Sequence, residues 1–326
     1  MSSSPYLVLA YYHFPTIDNP QEEVMAHKEF LAGRDAACRI YISENGINGQ
    51  LSAARQDAID YMNWMHSKPL FKDVWFKIHE HHENVFPRIT VKYRKQLVAI
   101  DEEYDLGEMG EHLPPEKWKE MLKDNDKVLI DVRNEYEWKI GHFEGASLPP
   151  CETFREFKDY ADDLKEKVDP KKTPVMMYCT GGIRCELYSA ILKKKGFDRV
   201  YQLEGGVINY GLKEGNDQWL GKLFVFDDRL AVPLDEKNQK VIGQCLHCSN
   251  PNDTYFNCAN MDCNELFLCC PDCLKKFQGC CQESCKTSPR VRPYQESHKP
   301  FRRKSQFDLN TQKLDTDGTD NTDKHR

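Results

Sequence analysis

The 326-residue chain reads as an α/β protein, two α/β units followed by a cysteine-dense segment, and three observations lead to that class. Short apolar runs alternate with amphipathic stretches from Tyr6 to Gly206, the rhythm of strands and helices packed in layers. A charged stretch, Asp101 to Pro115, ends in Leu113-Pro114-Pro115 and interrupts that rhythm as a connector would. Ten of the fourteen cysteines then crowd between Cys245 and Cys285. The expected organisation is a first domain over 1–96, a linker over 97–115 and a second domain over 116–225. A cysteine-rich segment with a basic arm follows over 226–304, and then a polar, disordered tail over 305–326.

In the first unit, Tyr6 to Phe14 has the apolar, β-prone composition of a strand, and Gln21 to Ala32 the spacing of an amphipathic helix. Ala37 to Ile42 and Gly49 to Ala53 read as strands joined by Ser43 to Gly49, whose two Asn-Gly pairs favour a turn. Asp57 to His66 reads as a helix, with strands at Val74 to Ile78 and Arg88 to Tyr93. This order predicts a split-βαβ, ferredoxin-like α+β domain. The second unit opens near Glu116 with a helix and the strand Val128-Leu129-Ile130. Helices over Phe154 to Lys165 and Arg184 to Lys195 then alternate with strands over Val175 to Tyr178 and Val200 to Leu203. Gly205-Gly206 opens one more helix, and alternation of this kind predicts a parallel sheet covered on both faces.

Composition narrows the function classes. No apolar run approaches the ~20 residues that span a bilayer, and Tyr6 to Tyr12 is too short for a secretory signal, so a cytoplasmic location is expected. Thiols stay reduced there, which makes the cysteines catalytic, metal-binding or buried rather than a disulfide framework. No G-x-G-x-x-G follows a strand, so neither a flavin nor a nicotinamide site is expected. The net charge of −7 hides a basic stretch: residues 286–304 hold seven Lys or Arg and one acid, Glu296. Such a cluster on an acidic protein suits a polyanion.

The chemistry concentrates at Cys179. The apolar run Val175-Met176-Met177-Tyr178 ends there, and Thr180, Gly181, Gly182 and Ile183 lead into a helix starting near Arg184. A cysteine between a strand end and a helix start faces backbone N–H groups and the positive end of a helix dipole, so its thiolate is favoured. Gly181 and Gly182 are expected to let the backbone approach the sulfur closely, and Arg184 to add a permanent cation. Asp131 and Arg133, at another strand end, are expected to form an ion pair bracing the loop. Cys185 is expected to be a packed thiol, His142 and Glu144 structural, and His79, His81 and His82 an exposed polar edge.

This second domain resembles the rhodanese family. Leu129 to Arg133, Glu135-Tyr136-Glu137-Trp138 and Gly141-His142-Phe143-Glu144-Gly145-Ala146 follow the family's opening motif in order. Cys179 to Arg184 matches its six-residue active loop, and Leu203-Glu204-Gly205-Gly206 its late glycine pair. The resemblance implies that Cys179 is the reactive sulfur and that Arg184 stabilises an anion on it.

Beyond that domain, Cys245-Leu246-His247-Cys248 and Cys270-Pro271-Asp272-Cys273 are C-x₂-C knuckles, and Cys258 and Cys263 lie at workable distance. Cys280, Cys281 and Cys285 follow. Ten thiols suffice for two tetrahedral structural zinc sites with two to spare, and metal would replace a core this short segment cannot build. Iron–sulfur ligation lacks its C-x₂-C-x₂-C run, and redox-active thiols are the other alternative. His247 inside the first knuckle leaves the ligand set open. In the basic arm, Arg302, Arg303 and Lys304 with Tyr294 and Phe301 suit an unpaired RNA loop whose bases stack, and Arg88, Lys92, Arg94 and Lys95 on the last strand of the first unit extend that surface.

The whole chain, about residues 5–300, is similar to the bacterial oxygen-dependent tRNA uridine hydroxylases. Gly46-Ile47-Asn48-Gly49-Gln50, then Cys179-Thr180-Gly181-Gly182-Ile183-Arg184-Cys185-Glu186, then the thiol-rich tail carry that resemblance. It implies hydroxylation of the wobble uridine of tRNA at C5 to 5-hydroxyuridine, with molecular oxygen as co-substrate. Either the Cys179 thiolate activates the ring at C6 or a sulfur–oxygen species on it delivers the oxygen. The alternatives are a sulfurtransferase carrying a persulfide on Cys179, and a zinc-containing RNA-binding protein without catalysis.

Overall fold

The computed structural model describes residues 4–100, 105–235 and 240–295. The first domain comprises β1 (Tyr6–His13), α1 (Pro20–Leu31), β2 (Ala36–Ser43), β3 (Gly46–Ala54), α2 (Arg55–Ser67), β4 (Lys77–His81) and β5 (Ile89–Tyr93). Its sheet has the order β4-β1-β3-β2-β5, which is the expected split-βαβ arrangement extended by β5 running parallel to β2. Leu9, Ile40, Ile42, Ile47 and Leu51 pack one face of it against Tyr61 and Met65 of α2. The turn between β2 and β3 is tighter than expected. Gly46, Ile47 and Asn48 belong to β3 and pair with Ser43, Ile42 and Tyr41. Gly46 has φ +131, and a Cβ there would sit 2.2 Å from the His13 carbonyl oxygen, so the close crossing of β1 requires glycine.

The second domain contains β6 (Glu111–Leu113), α3 (Pro115–Met121), β7 (Val128–Asp131), α4 (Glu135–Trp138), β8 (Gly141–Phe143), α5 (Phe157–Lys167), β9 (Val175–Tyr178), α6 (Ile183–Lys194), β10 (Val200–Leu203) and α7 (Gly206–Glu214). Its four-stranded sheet, in the order β6-β10-β9-β7, is parallel throughout. Alternation along β9 serves both faces: Val175 and Met177 meet Tyr188 and Phe157, while Met176 and Tyr178 meet Trp118 and Tyr210. The expected linker is corrected here. Residues 111–113 form the edge strand β6, and Ile100 is buried among the core residues of the second domain. Three residues between Gly110 and Pro114 show no periodicity, so sequence pattern had nothing to mark β6.

The thiol segment builds on this second domain. Trp219–Gly221 (β11) pairs with β8, and Leu223–Phe224 (β12) with Ala231–Val232 (β13). Beyond them Tyr255–Asn257 (β14) pairs with Leu266–Leu268 (β15), followed by the short helix α8 (Pro271–Lys276). Ile140, Phe224, Tyr255 and Leu268 form a small shared core, and the Tyr255 hydroxyl donates to the Tyr136 carbonyl at 2.7 Å. No helix among the described residues is long and apolar enough to cross a membrane.

Candidate active site

Cys179 follows β9 at the carboxyl end of the parallel sheet, where open α/β folds place their sites. The loop from Thr180 to Gly182 leads directly into α6, and the Gly182 N–H donates to the Cys179 Sγ at 3.1 Å. Burial alone pushes this thiol up. The Cys185 thiol hydrogen bond, the Arg184 charge and the Gly182 and Arg184 amides outweigh it and hold the Cys179 pKa down at about 5. Cys185 shows the complement, raised well above the usual thiol range by burial and by its bond to Cys179. It is therefore packed, as expected, and also the thiol donor to the Cys179 sulfur.

Glycine is required at two points. Gly182 has φ +105, and a Cβ there would lie 2.8 Å from the Tyr12 hydroxyl. A Cβ on Gly206 would lie 2.6 Å from the Cys179 carbonyl oxygen and 2.7 Å from the Gly182 nitrogen. That close approach lets Val207 and Ile208, in the first turn of α7, donate their N–H groups to the Cys179 and Thr180 carbonyls at 3.0 and 3.1 Å. Gly181, expected to matter for the same reason, has open space where a Cβ would be. Its carbonyl instead accepts from the buried Lys77 ammonium at 3.0 Å.

The brace of the loop is corrected. Asp131 and Arg133 form a fully buried bidentate pair, at 2.8 Å from Nε and 2.5 Å from a terminal nitrogen. The remaining Arg133 bond goes to the Gly141 carbonyl, and the guanidinium lies 5.6 and 5.1 Å from the Tyr178 and Trp219 ring centroids. The pair thus fastens β7 to β8. The carboxylate that holds the loop is Glu137: it takes both terminal nitrogens of Arg184 at 2.5 and 2.8 Å and the Thr180 hydroxyl at 3.0 Å. Despite full burial, Arg184 and Arg133 keep Glu137 below the usual carboxylate range. Arg184 therefore acts on the sulfur through its charge and its amide, with its guanidinium clamped to Glu137. The sequence signal for Glu137 was its place in Glu135-Tyr136-Glu137-Trp138, an acid in the first turn of a helix.

The first domain completes the site, which sequence reasoning missed. The Tyr12 hydroxyl donates to Glu186 at 2.6 Å, and the Lys77 ammonium lies 4.7 Å from the Tyr12 ring centroid. Burial pulls the Lys77 pKa down to about 8, against the opposing charges of Cys179 and Glu186. A lysine inside the apolar run Val74-Trp75-Phe76-Lys77-Ile78 was the available signal. Between the domains lies a cleft of about 490 Å³ with Cys179 and Arg184 on its floor. Arg39, Lys77, Arg94, Lys95 and Arg155 give it a cationic lining, and Tyr41, Tyr136 and Phe226 supply aromatic surface. Asn48 and Gly49 line the β3 side, where a Cβ on Gly49 would collide with the Tyr11 ring.

Eight of the ten clustered thiols form two tetrads, Cys245, Cys248, Cys270 and Cys273, and Cys258, Cys263, Cys281 and Cys285. All six cysteines expected as ligands are in them, and Cys281 and Cys285 join. The two tetrads interleave along the chain, so each C-terminal pair closes over an N-terminal one. Sulfur separations of 3.7 Å (Cys248 to Cys270), 3.6 Å (Cys263 to Cys281) and 4.0 Å (Cys281 to Cys285) fit the edge of about 3.8 Å that four thiolates make around one Zn²⁺. His247 is outside both, stacked on Phe277 with centroids 3.6 Å apart. His142 is structural as expected, its Nδ1 bonded to the Trp138 carbonyl at 2.9 Å. Of the basic arm, Arg290 pairs with Asp262 at 2.8 Å and Arg292 donates to the Cys258 carbonyl at 2.5 Å, so both tie the arm to the thiol module. Arg302, Arg303, Lys304, Phe301 and the polar tail lie outside the described residues.

Comparison with known proteins agrees with this architecture. Residues 6–97 match the family described as UPF0176 acylphosphatase like domain, 114–212 the Rhodanese-like domain, and 220–286 the Rhodanase C-terminal family. A protein of Protochlamydia amoebophila named tRNA uridine(34) hydroxylase is 61% identical over 311 residues, 94% of this chain and 97% of the relative. Proteins of the same name from Chlamydia felis and Chlamydia pneumoniae are 58% and 57% identical, covering 91% of this chain and 93% of each relative.

Proposed function

Since the chain belongs to the tRNA uridine(34) hydroxylase family, we propose that it hydroxylates C5 of the wobble uridine of tRNA with molecular oxygen, using the thiolate of Cys179. One observation carries the reading: a thiol held at a pKa of about 5 lies on the floor of a cationic, aromatic-lined cleft that two domains build together. Uracil C5 and C6 belong to an enone. Addition of the Cys179 sulfur to C6 moves the ring π pair toward C5 and O4, which makes C5 nucleophilic. Oxygen then bonds to C5, and its second atom leaves as water with two protons and two electrons from an external two-electron donor. Loss of the C5 proton and departure of the thiolate restore the ring.

The rest of the cleft suits an unstacked base. Arg39, Arg94, Lys95 and Arg155 are placed for phosphates flanking it, and Tyr41 and Tyr136 for stacking. Two zinc ions, one per thiol tetrad, would be structural and supply folding energy to a module that shares its core with the second domain. Through Tyr255 that module also holds the Tyr136 backbone, next to Glu137.

The test is the nucleoside content of tRNA treated with wild-type protein and with Cys179→Ser. Loss of 5-hydroxyuridine in the variant supports the proposal, and its retention refutes it. Dependence of a thiolated nucleoside on Cys179, in place of 5-hydroxyuridine, would establish sulfur transfer instead.

A further inference from the structure

The chemistry at Cys179 leaves one polar network without a role. Glu186, in the first turn of α6, is 5% exposed and is contacted from three separate strands. The Tyr12 hydroxyl of β1 donates to Oε1 at 2.6 Å, and the Gln202 amide of β10 to Oε2 at 3.0 Å. The His112 Nε2 of β6 lies 3.0 and 3.1 Å from the two carboxylate oxygens. The His112 side chain is 38% exposed and that of Glu186 7%, so the chain of bonds runs from solvent inward. Its inner end reaches the reactive sulfur. Tyr12 lines the cleft, and its hydroxyl abuts Gly182, whose N–H is bonded to the Cys179 Sγ.

We infer that His112, Glu186 and Tyr12 form a relay that carries a proton from solvent to the O4 atom of the uracil as Cys179 adds to C6. The inference rests on the proposed C6 addition. In that step the sulfur lone pair forms the S–C6 bond and the ring π pair shifts onto O4. The His112 imidazolium passes its Nε2 proton to the Glu186 carboxylate, the carboxylic acid so formed gives a proton to the Tyr12 oxygen as the Tyr12 hydroxyl turns its own proton to O4, and solvent reprotonates His112. No electrons are gained or lost. Tyr12 touches the base, and Glu186 and His112 act through it. Lys77 is 4% exposed and Cys179 0%, so a path from the more exposed His112 supplies a proton without bulk water having to reach the sulfur.

The charged and titratable surroundings support the direction. His112 faces Glu186 and Glu204, and its pKa is raised chiefly by the Glu186 bond, so the imidazolium persists above its usual range. Glu186 faces His112 and Tyr12, with Lys77 from β4 and Cys185 on its own helix in electrostatic range. It remains ionised despite burial, lowered by the His112 and Tyr12 bonds. The relay requires protonated His112, so the step slows as pH rises through that raised pKa.

The experiment is exchange of the uridine C5 hydrogen for deuterium in D₂O without oxygen, read by mass spectrometry of the nucleosides, which isolates C6 addition from oxygen chemistry. Wild type is expected to exchange with a rate that falls on the alkaline side. Tyr12→Phe and Glu186→Gln should slow exchange roughly 10²-fold, the scale of a lost general acid. His112→Asn should lose the alkaline fall, and added imidazole should restore it, with the KM for tRNA unchanged. A purely structural role would move neither the pH profile nor the imidazole response, and a wild-type profile in His112→Asn overturns the relay. Absence of exchange in wild type that still hydroxylates overturns C6 addition and the relay with it. Hydroxylation retained by Cys179→Ser instead defeats the proposed function itself.

Discussion

Replacing Cys185 with alanine removes a thiol hydrogen bond from the Cys179 sulfur and leaves the Gly182 and Arg184 amides and the Arg184 charge in place. A hydrogen bond to a charged group contributes about 1.5–3 kcal/mol. At ~1.4 kcal/mol per pH unit, that takes the Cys179 pKa from about 5 to roughly 6–7. A low-pKa thiol reacts as thiolate, so the reactive form is present above the pKa and is lost as pH falls through it. At pH 6 the thiolate fraction drops from about nine-tenths to between about a half and a tenth, slowing alkylation roughly 2–10-fold. At pH 9 the two proteins should react alike. Cys185→Ser keeps a donor and should track the wild type. The assay is iodoacetamide labelling across pH, quantified on the Cys179 peptide, with the midpoint rather than the absolute rate compared because the thiol is buried. An unchanged midpoint in Cys185→Ala removes Cys185 from the account. A wild-type midpoint near the ~8.5 of free cysteine removes the stabilised anion altogether.

Glu137→Gln should break the buried pair with Arg184 and cost about 3–5 kcal/mol in urea unfolding, while the Cys179 labelling midpoint does not rise, since Arg184 keeps its charge. Unaltered stability would show that the loop is held by something else. For the thiol module, metal analysis should give two zinc ions per chain, one after Cys248→Ser and one after Cys281→Ser, with Cys269→Ser and Cys280→Ser retaining both. Loss of metal on replacing Cys269 or Cys280 would refute the tetrads.

Several features were legible in the chain because they are local. Alternating apolar runs mark β7, β9 and β10 and the helices between them, since side-chain periodicity reports directly on backbone geometry. The cysteine at a strand end before paired glycines and a helix start likewise predicts a stabilised thiolate from backbone amides alone. Where the local signal was misleading, chemistry at a distance explains it. Gly46 looked like part of a loop, and it is in β3 because a glycine there permits the close pass of β1. Asp131 and Arg133 looked like the brace of the active loop, and that task falls to Glu137, which α4 carries to within reach of Arg184.

The order of most elements, the place of Cys179 between a strand end and a helix start, and the supply of thiols were all readable from the chain, because each depends on neighbouring residues or on composition. Tertiary structure alone decided what surrounds them. Tyr12 and Lys77 reach the Cys179 loop from a different domain, and the two thiol tetrads interleave rather than follow in chain order. The tetrads join thiols 18 and 22 residues apart and the domain contacts join residues 104 and 174 apart, and a pattern read a few residues at a time carries no record of such distances.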